Sequence, residues 1–280
     1  MIIDSHQHFW LYEKEKHAWI DDDMAVIRKD FLPEDLEPIY KNFGVTGCIA
    51  VQADQNEKEN DFLLDQAKNH DFIKGIIGWV DLRSDRLNED LEYYATYPLM
   101  KGYRHIVQGE SDPLFLLRKE FLRGIGELQK RGLIYEILVV PHQLPVVLEF
   151  VKQFPNITFV LDHIAKPYIK DGYFSSWALL MKELGTIQNV CCKVSGLITE
   201  ADYQAWTQQE IIPYIDVVLE SFGPQRILYG SDWPVCLVAG NYGKVMQLAK
   251  EFSKKLSNDE QQLFFYKNAK RIYDLKLDVE

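Results

Sequence analysis

The sequence predicts an α/β fold, a (β/α)8 TIM barrel in a single domain over residues 1–280, and three observations lead there. Eight short apolar runs with the composition of buried strands recur along the chain. Most are separated by a stretch of helical periodicity, at a repeat of about 30 residues, the size of one βα unit. No Gly-Xaa-Gly-Xaa-Xaa-Gly turn follows an early strand, which argues against an open, doubly wound sheet.

The strand-like runs cover 2–8, 45–53, 73–81, 100–107, 133–140, 157–163, 190–197 and 226–232. The first intervening helix starts at Pro33-Glu34-Asp35, with proline and acids in its first turn, and stops at Gly44. Further helices are expected over 59–69, 114–131, 144–154, 177–184, 203–222 and 242–254, with a last one over 258–273; the stretch 83–98 holds a short helix at most. Residues 9–30 are too many for an ordinary βα loop and carry Trp10, Trp19 and the run Asp21-Asp22-Asp23. A long loop on the catalytic face of a barrel is expected to cover the site, and the acidic run to be solvated surface.

Composition narrows the function classes. The 280 residues are 47% hydrophobic and 13% aromatic, a globular rather than disordered balance. The formal net charge is −11 and there is no basic block, which argues against nucleic acid and anionic membranes as partners. The N-terminus lacks a basic segment followed by an apolar one, and no apolar run is long enough to span a bilayer, so a soluble cytoplasmic chain is expected. Cys48, Cys191, Cys192 and Cys236 lie in or beside apolar runs without Cys-Xaa-Xaa-Cys spacing and read as buried thiols; Cys236 alone is a weak nucleophile candidate.

The chemistry is concentrated at strand ends. His6 and His8 are one residue apart on the first run, so they face the same side and can share a divalent ion. The sixth run ends Asp162-His163-Ile164-Ala165-Lys166-Pro167, and the eighth ends Ser231-Asp232-Trp233-Pro234. Tyr103-Arg104-His105 ends the fourth, Trp79 lies on the third, and Gln52 and Asp54 end the second. In a barrel these ends meet at one mouth, where ionisable groups without a purpose are costly to bury. His142, after the fifth run, is a further candidate for the wall; His17 and His70 read as surface residues.

Asp4-Ser5-His6-Gln7-His8-Phe9-Trp10, Asp162-His163-Ile164-Ala165-Lys166-Pro167 and Tyr229-Gly230-Ser231-Asp232-Trp233-Pro234 resemble, in order and over nearly the whole chain, the signatures of the amidohydrolase superfamily. More narrowly, they resemble its sugar-lactonase and pyrone-dicarboxylate-lactonase branch. The resemblance implies a distorted (β/α)8 barrel and hydrolysis of a cyclic ester. It makes Asp232 the catalytic aspartate, His6 and His8 the first-strand pair, and His163 the histidine of the sixth-strand motif. Two-metal members have a carboxylated lysine at the end of the fourth strand; Tyr103-Arg104-His105 has none, which argues against a binuclear site. A single zinc or manganese ion on His6, His8 and Asp232 is expected, with metal-free catalysis, in which the imidazoles act directly, left open.

Lactone hydrolysis needs an activated water, a stabilised oxyanion and a proton for the leaving ring oxygen. Asp232 can take and return the proton, provided partial burial raises its pKa. A metal, or the imidazoles with Arg104 or Lys166, can stabilise the oxyanion. No Gly-Xaa-Ser-Xaa-Gly elbow is present, which disfavours an acyl-enzyme. A dicarboxylate substrate would call for several arginine clamps, which this set lacks. Gln52, Trp79, Arg104, His105, Lys166 and Trp233, with Trp10, instead suit a hydroxyl-bearing ring, hence a small neutral sugar lactone. The alternatives are an amidohydrolase-like decarboxylase of a carboxylated aromatic, and a catalytically silent ligand-binding barrel.

Overall fold

The computed structural model describes residues 1–277. Eight parallel strands follow chain order around one sheet: β1 (Ile3–Gln7), β2 (Gly47–Val51), β3 (Ile73–Gly78), β4 (Met100–Ile106), β5 (Ile134–Leu138), β6 (Phe159–Leu161), β7 (Val190–Val194) and β8 (Ile227–Tyr229). The sheet closes beyond the end of β8, where Asp232 N–H donates to His6 O (2.8 Å) and His8 N–H donates to Trp233 O (2.7 Å). Each expected strand is present but shorter than its apolar run, because the last residues of most runs leave the ladder to form the mouth. Register breaks between β1 and β2, β2 and β3, and β3 and β4 make the barrel irregular.

The outer layer is α1 (Pro33–Phe43), α2 (Glu57–Asn69), α3 (Leu87–Tyr94), α4 (Lys119–Lys130), α5 (Leu144–Lys152), α6 (Ser175–Gly185), α7 (Gln208–Phe222) and α8 (Tyr242–Ser253). α1 ends as expected at Gly44, whose φ of +70° is the left-handed cap that glycine adopts without steric cost. The last predicted helix is broken into α9 (Asn258–Gln262), a π turn at Leu263–Lys267 and α10 (Asn268–Ile272). Residues of the segment from α10 onward, Ala269, Tyr273 and Leu275, pack on Ile3, Ile49, Ile77 and Leu228 and plug the barrel floor. The remaining core lies between strands and helices. Among the described residues no helix is long and apolar enough to cross a membrane. All four cysteines are free and buried, and burial pushes the Cys236 thiol up, which leaves it without nucleophilic character.

Candidate active site

Strict alternation from Ile3, which faces the barrel floor, would turn His6 and His8 outwards. The register irregularity between Asp4 and Gln7 reverses this. Asp4, before the irregularity, faces the helices as alternation requires, accepting from Ser231 N–H (2.8 Å), Tyr40 OH (3.0 Å) and Tyr242 OH (3.2 Å), and so ties β1 to the end of β8 and to α1 and α8. Burial raises its pKa to about 6. His6 and His8 then both enter the barrel.

A second irregularity aims His163. Just past β6, Asp162 faces inwards, so its neighbour should face out. Instead His163, Ile164, Ala165 and Lys166 all have positive φ, between 48° and 60°, one turn of left-handed helix. Each such residue costs about 1–2 kcal/mol unless its surroundings enforce it. Here Lys166 N–H donates to His163 O (2.8 Å), and Trp177 Nε1–H donates to Ile164 O (2.8 Å). The turn swings His163 against His6, with ring centroids 4.3 Å apart, and brings Lys166 to the same cavity. Asp232 also has a positive φ, 56°.

Four side chains thereby converge. His6 Nε2 and His8 Nε2 are 3.2 Å apart, and Asp232 Oδ1 lies 3.4 Å from His8 Nε2, 3.8 Å from His6 Nε2 and 3.9 Å from His163 Nε2. Tetrahedral zinc with bonds of about 2.0–2.1 Å separates its ligand atoms by roughly 3.3 Å, so His6, His8 and Asp232 fit one ion. One outer partner also fits: His8 Nδ1 is 2.7 Å from Val51 O, which leaves its Nε2 free to coordinate. His6 Nδ1 lies between Asp162 Oδ1 (3.3 Å) and Lys193 Nζ (3.1 Å). In the slot at the end of β4, where a bridging lysine would stand, the Arg104 guanidinium is already bound to Asp162 (3.0 Å) and to Gln52 Oε1 (2.8 Å).

The electrostatics depart from expectation at Asp232. Burial pushes its carboxyl up, but His163 and His8 beside it, with Lys166 beyond, outweigh burial and hold it below the ordinary value. It is therefore a carboxylate throughout the neutral range, not one raised into it. Burial lowers His163 to about 4, and lowers His6 well below the ordinary histidine value, so both rings are neutral. His163 Nδ1 shares a hydrogen bond with Ser195 Oγ (2.9 Å).

Beneath the histidines lies an ion network that the strand-end reading missed. Lys193 on β7 sits 2.6 Å from Glu136 of β5, 3.2 Å from Asp162 and 3.1 Å from His6 Nδ1, all fully buried. Tyr273 OH donates to Glu136 (2.6 Å), linking the C-terminal plug to this network. The signal was present as single charges inside apolar strands, in Tyr135-Glu136-Ile137 and Cys192-Lys193-Val194.

Above the histidines opens a cavity of about 400 Å³, within the usual ~300–1,000 Å³ of small-molecule sites. Arg104, Lys166, His8, His163 and Asp232 line it. Other expected contacts do not. Gln52 is fully buried and holds Arg104 from behind. His105 alternates with Arg104 and so faces the helices, stacked on Phe115 and 2.6 Å from Glu110; Trp79 donates to it from outside the cavity (3.3 Å). Trp233 is buried between Phe9 and Phe31, and Trp10 packs on Phe31. Of the long 9–30 loop, Trp19 and Met24 reach the cavity, while Asp21, Asp22 and Asp23 are exposed. Gln108, Thr199, Glu200 and Tyr203 are polar wall residues that strand-end reasoning did not find, because they come from the loops after β4 and β7. His142 is exposed beside Tyr168, and His17 is buried under Trp10 rather than on the surface.

The amidohydrolase family profile matches residues 3–275, and the chain belongs to that family. It is 37% identical to an L-fucono-1,5-lactonase of Burkholderia multivorans, over 98% of this chain and 96% of that one. A crystal structure of an amidohydrolase from Burkholderia multivorans with bound zinc superposes with a TM-score of 0.95 at 36% identity, covering 99% of this chain and 100% of that one. A manganese-bound dihydroxybenzoic acid decarboxylase from Polaromonas superposes at 0.68 with 14% identity, covering 98% and 96%, and shares the fold alone.

Proposed function

We propose that this amidohydrolase opens the cyclic ester of a small neutral sugar lactone, with Asp232 as general base and then general acid, and that residues 1–280 act as one cytoplasmic catalytic unit. The observation that carries this reading is the convergence of His6, His8, His163 and an ionised Asp232 on a cavity whose cations are already paired. The 37% identity to an L-fucono-1,5-lactonase supports the substrate class.

Asp232 accepts the proton of a water placed between it and the lactone carbonyl, then returns that proton to the ring oxygen as the C–O bond breaks. Its low pKa keeps the carboxylate ionised, and so available as base, at neutral pH, with His163 beside it a neutral imidazole. Lys166, on the wall, gives one of its three donors to Glu200 and keeps others to hydrogen-bond the oxygen on which negative charge develops, and His163 is held by Ser195 to face Asp232. A divalent ion on His6, His8 and Asp232 would polarise the carbonyl and acidify water there. Glu200, Gln108 and Tyr203 offer partners to ring hydroxyls, so a lactone without hydroxyls leaves them unpaired.

The test is a panel of lactones in a pH-indicator assay, with metal content measured on the same sample. L-fucono-1,5-lactone and L-rhamnono-1,4-lactone should be opened, and unsubstituted butyrolactone should be a far poorer substrate. Release of carbon dioxide from a dihydroxybenzoate, with no lactone opened, would instead identify the decarboxylase alternative.

A further inference from the structure

Every cation on the cavity wall already has an anion. Arg104 is paired with Asp162 and Gln52, and Lys166 Nζ is 3.1 Å from Glu200 Oε1, with both side chains mostly buried. The wall adds a further anion in Asp232, and Gln108 Oε1 is a buried acceptor without a partner. These acceptors call for donors, which a polyol supplies; Arg104 Nε has no partner, but the Arg104 charge is paired with Asp162, so a substrate carboxylate would meet no unpaired cation on this wall among the described residues and would lie near two carboxylates. Glu200 comes from the loop after β7, outside the three signature motifs.

We propose that Glu200 is the specificity determinant of this site, its carboxylate cancelling Lys166 and accepting from substrate hydroxyls so that uncharged polyhydroxylated lactones are admitted and carboxylated ones refused. This rests on the lactonase reading and names the residue that sets its substrate class. Neutralising Glu200 releases Lys166 as a free ammonium at the wall, able to pair with a substrate carboxylate. The cavity then changes from one that repels an anion to one that holds it.

A matched pair of probes tests this: L-galactono-1,4-lactone and L-galactaro-1,4-lactone, the same ring with the terminal CH2OH oxidised to a carboxylate. The wild type should favour the neutral lactone at least about 10-fold in kcat/KM. Glu200→Gln should shrink that preference at least about 10-fold, mainly through a lower KM for the anionic lactone, while Glu200→Asp, which keeps the charge, should preserve most of it. Calorimetric binding of galactitol and galactarate reads the same preference without turnover. A folded Glu200→Gln protein whose neutral-to-anionic ratio stays within twofold of wild type, in both assays, overturns the inference while leaving the lactonase reading intact. If the wild type opens neither of these nor L-fucono-1,5-lactone, the lactonase reading fails, and the binding preference alone decides the role of Glu200.

Discussion

Gly196, in the loop after β7, offers a perturbation that adds one methyl group to the site and removes nothing. Its φ is +66°, and a Cβ built there would lie 2.5 Å from His163 Nδ1, 2.9 Å from His163 Cγ and 3.1 Å from Asp232 Oδ2. Ordinary contact begins near 3.4 Å, so in Gly196→Ala the imidazole must retreat by about 0.9 Å. It cannot do so freely, because Ser195 binds Nδ1 and the left-handed turn 163–166 fixes its backbone. A displacement of about 1 Å at a reacting group costs roughly 10²-fold in turnover. Stability should fall by roughly 2–5 kcal/mol, from about 1–2 for an alanine in the left-handed region and about 1–3 for overpacking. Gly44→Ala is the control: its φ is +70°, but a Cβ there meets nothing within 4 Å. It should lose about 1–2 kcal/mol, a few degrees in Tm, and keep full kcat/KM. Lactone hydrolysis at a temperature where both variants are folded, with thermal unfolding of each, makes the comparison. Equal activity in the two variants would refute the claim that His163 and Asp232 must hold this spacing.

Asp232→Asn should keep the fold and lose about 10²-fold or more in kcat, the usual worth of a positioned acid–base group; near-normal turnover would remove Asp232 from the mechanism. Lys193→Met leaves Glu136 and Asp162 buried without their shared cation and should cost about 3–5 kcal/mol in urea unfolding, whereas an exposed lysine such as Lys254 should cost almost nothing when replaced. The base must be ionised and His163 neutral: Asp232 is held below its ordinary value and His163 at about 4, so these two groups leave kcat/KM flat through neutrality and lower it as pH drops through about 4. An acid limb centred near 6.5 would show that a different group governs the reaction. Protein prepared without chelator should carry about one equivalent of zinc or manganese, and stripping it should lower activity; full activity in metal-free protein would assign carbonyl polarisation to the imidazoles and Lys166.

The barrel was legible because buried parallel strands and amphipathic helices write different periods into the chain, and eight repeats of that contrast admit few folds. The catalytic end was legible for a related reason: His6, His8, Asp162, His163, Lys166 and Asp232 interrupt or terminate apolar runs. The direction of neighbouring side chains was not legible. His105 and Trp233 lie next to the site residues Arg104 and Asp232 in sequence but point away from the cavity, His105 onto Phe115 and Trp233 between Phe9 and Phe31. Arg104 and His105 show the reason, since one step along a strand reverses the face. Glu200, Tyr203 and Gln108 sit on loops, where no period marks which side chain turns inwards.

Where the chain breaks its own alternation, it does so to aim the reacting groups. A regular β1 would point Ile3 into the barrel and His6 out of it; a regular continuation of β6 would point Asp162 in and His163 out. The irregularity in β1 and the left-handed turn after β6 let both members of each pair face the barrel, so that Asp162 can sit below His6 while His163 lies beside it. The strained turn needs an anchor stronger than its own hydrogen bonds, and Trp177 of α6, fully packed and donating to Ile164 O, supplies it. Trp177→Phe keeps most of the apolar packing but removes that donor from a buried carbonyl, a loss of about 1–3 kcal/mol. If the turn exists to aim His163 and Lys166, kcat/KM should fall with stability in this variant, even at temperatures where it is fully folded. Loss of stability with unchanged kcat/KM would mean that the turn holds its shape without Trp177, and that the left-handed backbone is enforced from the barrel side alone.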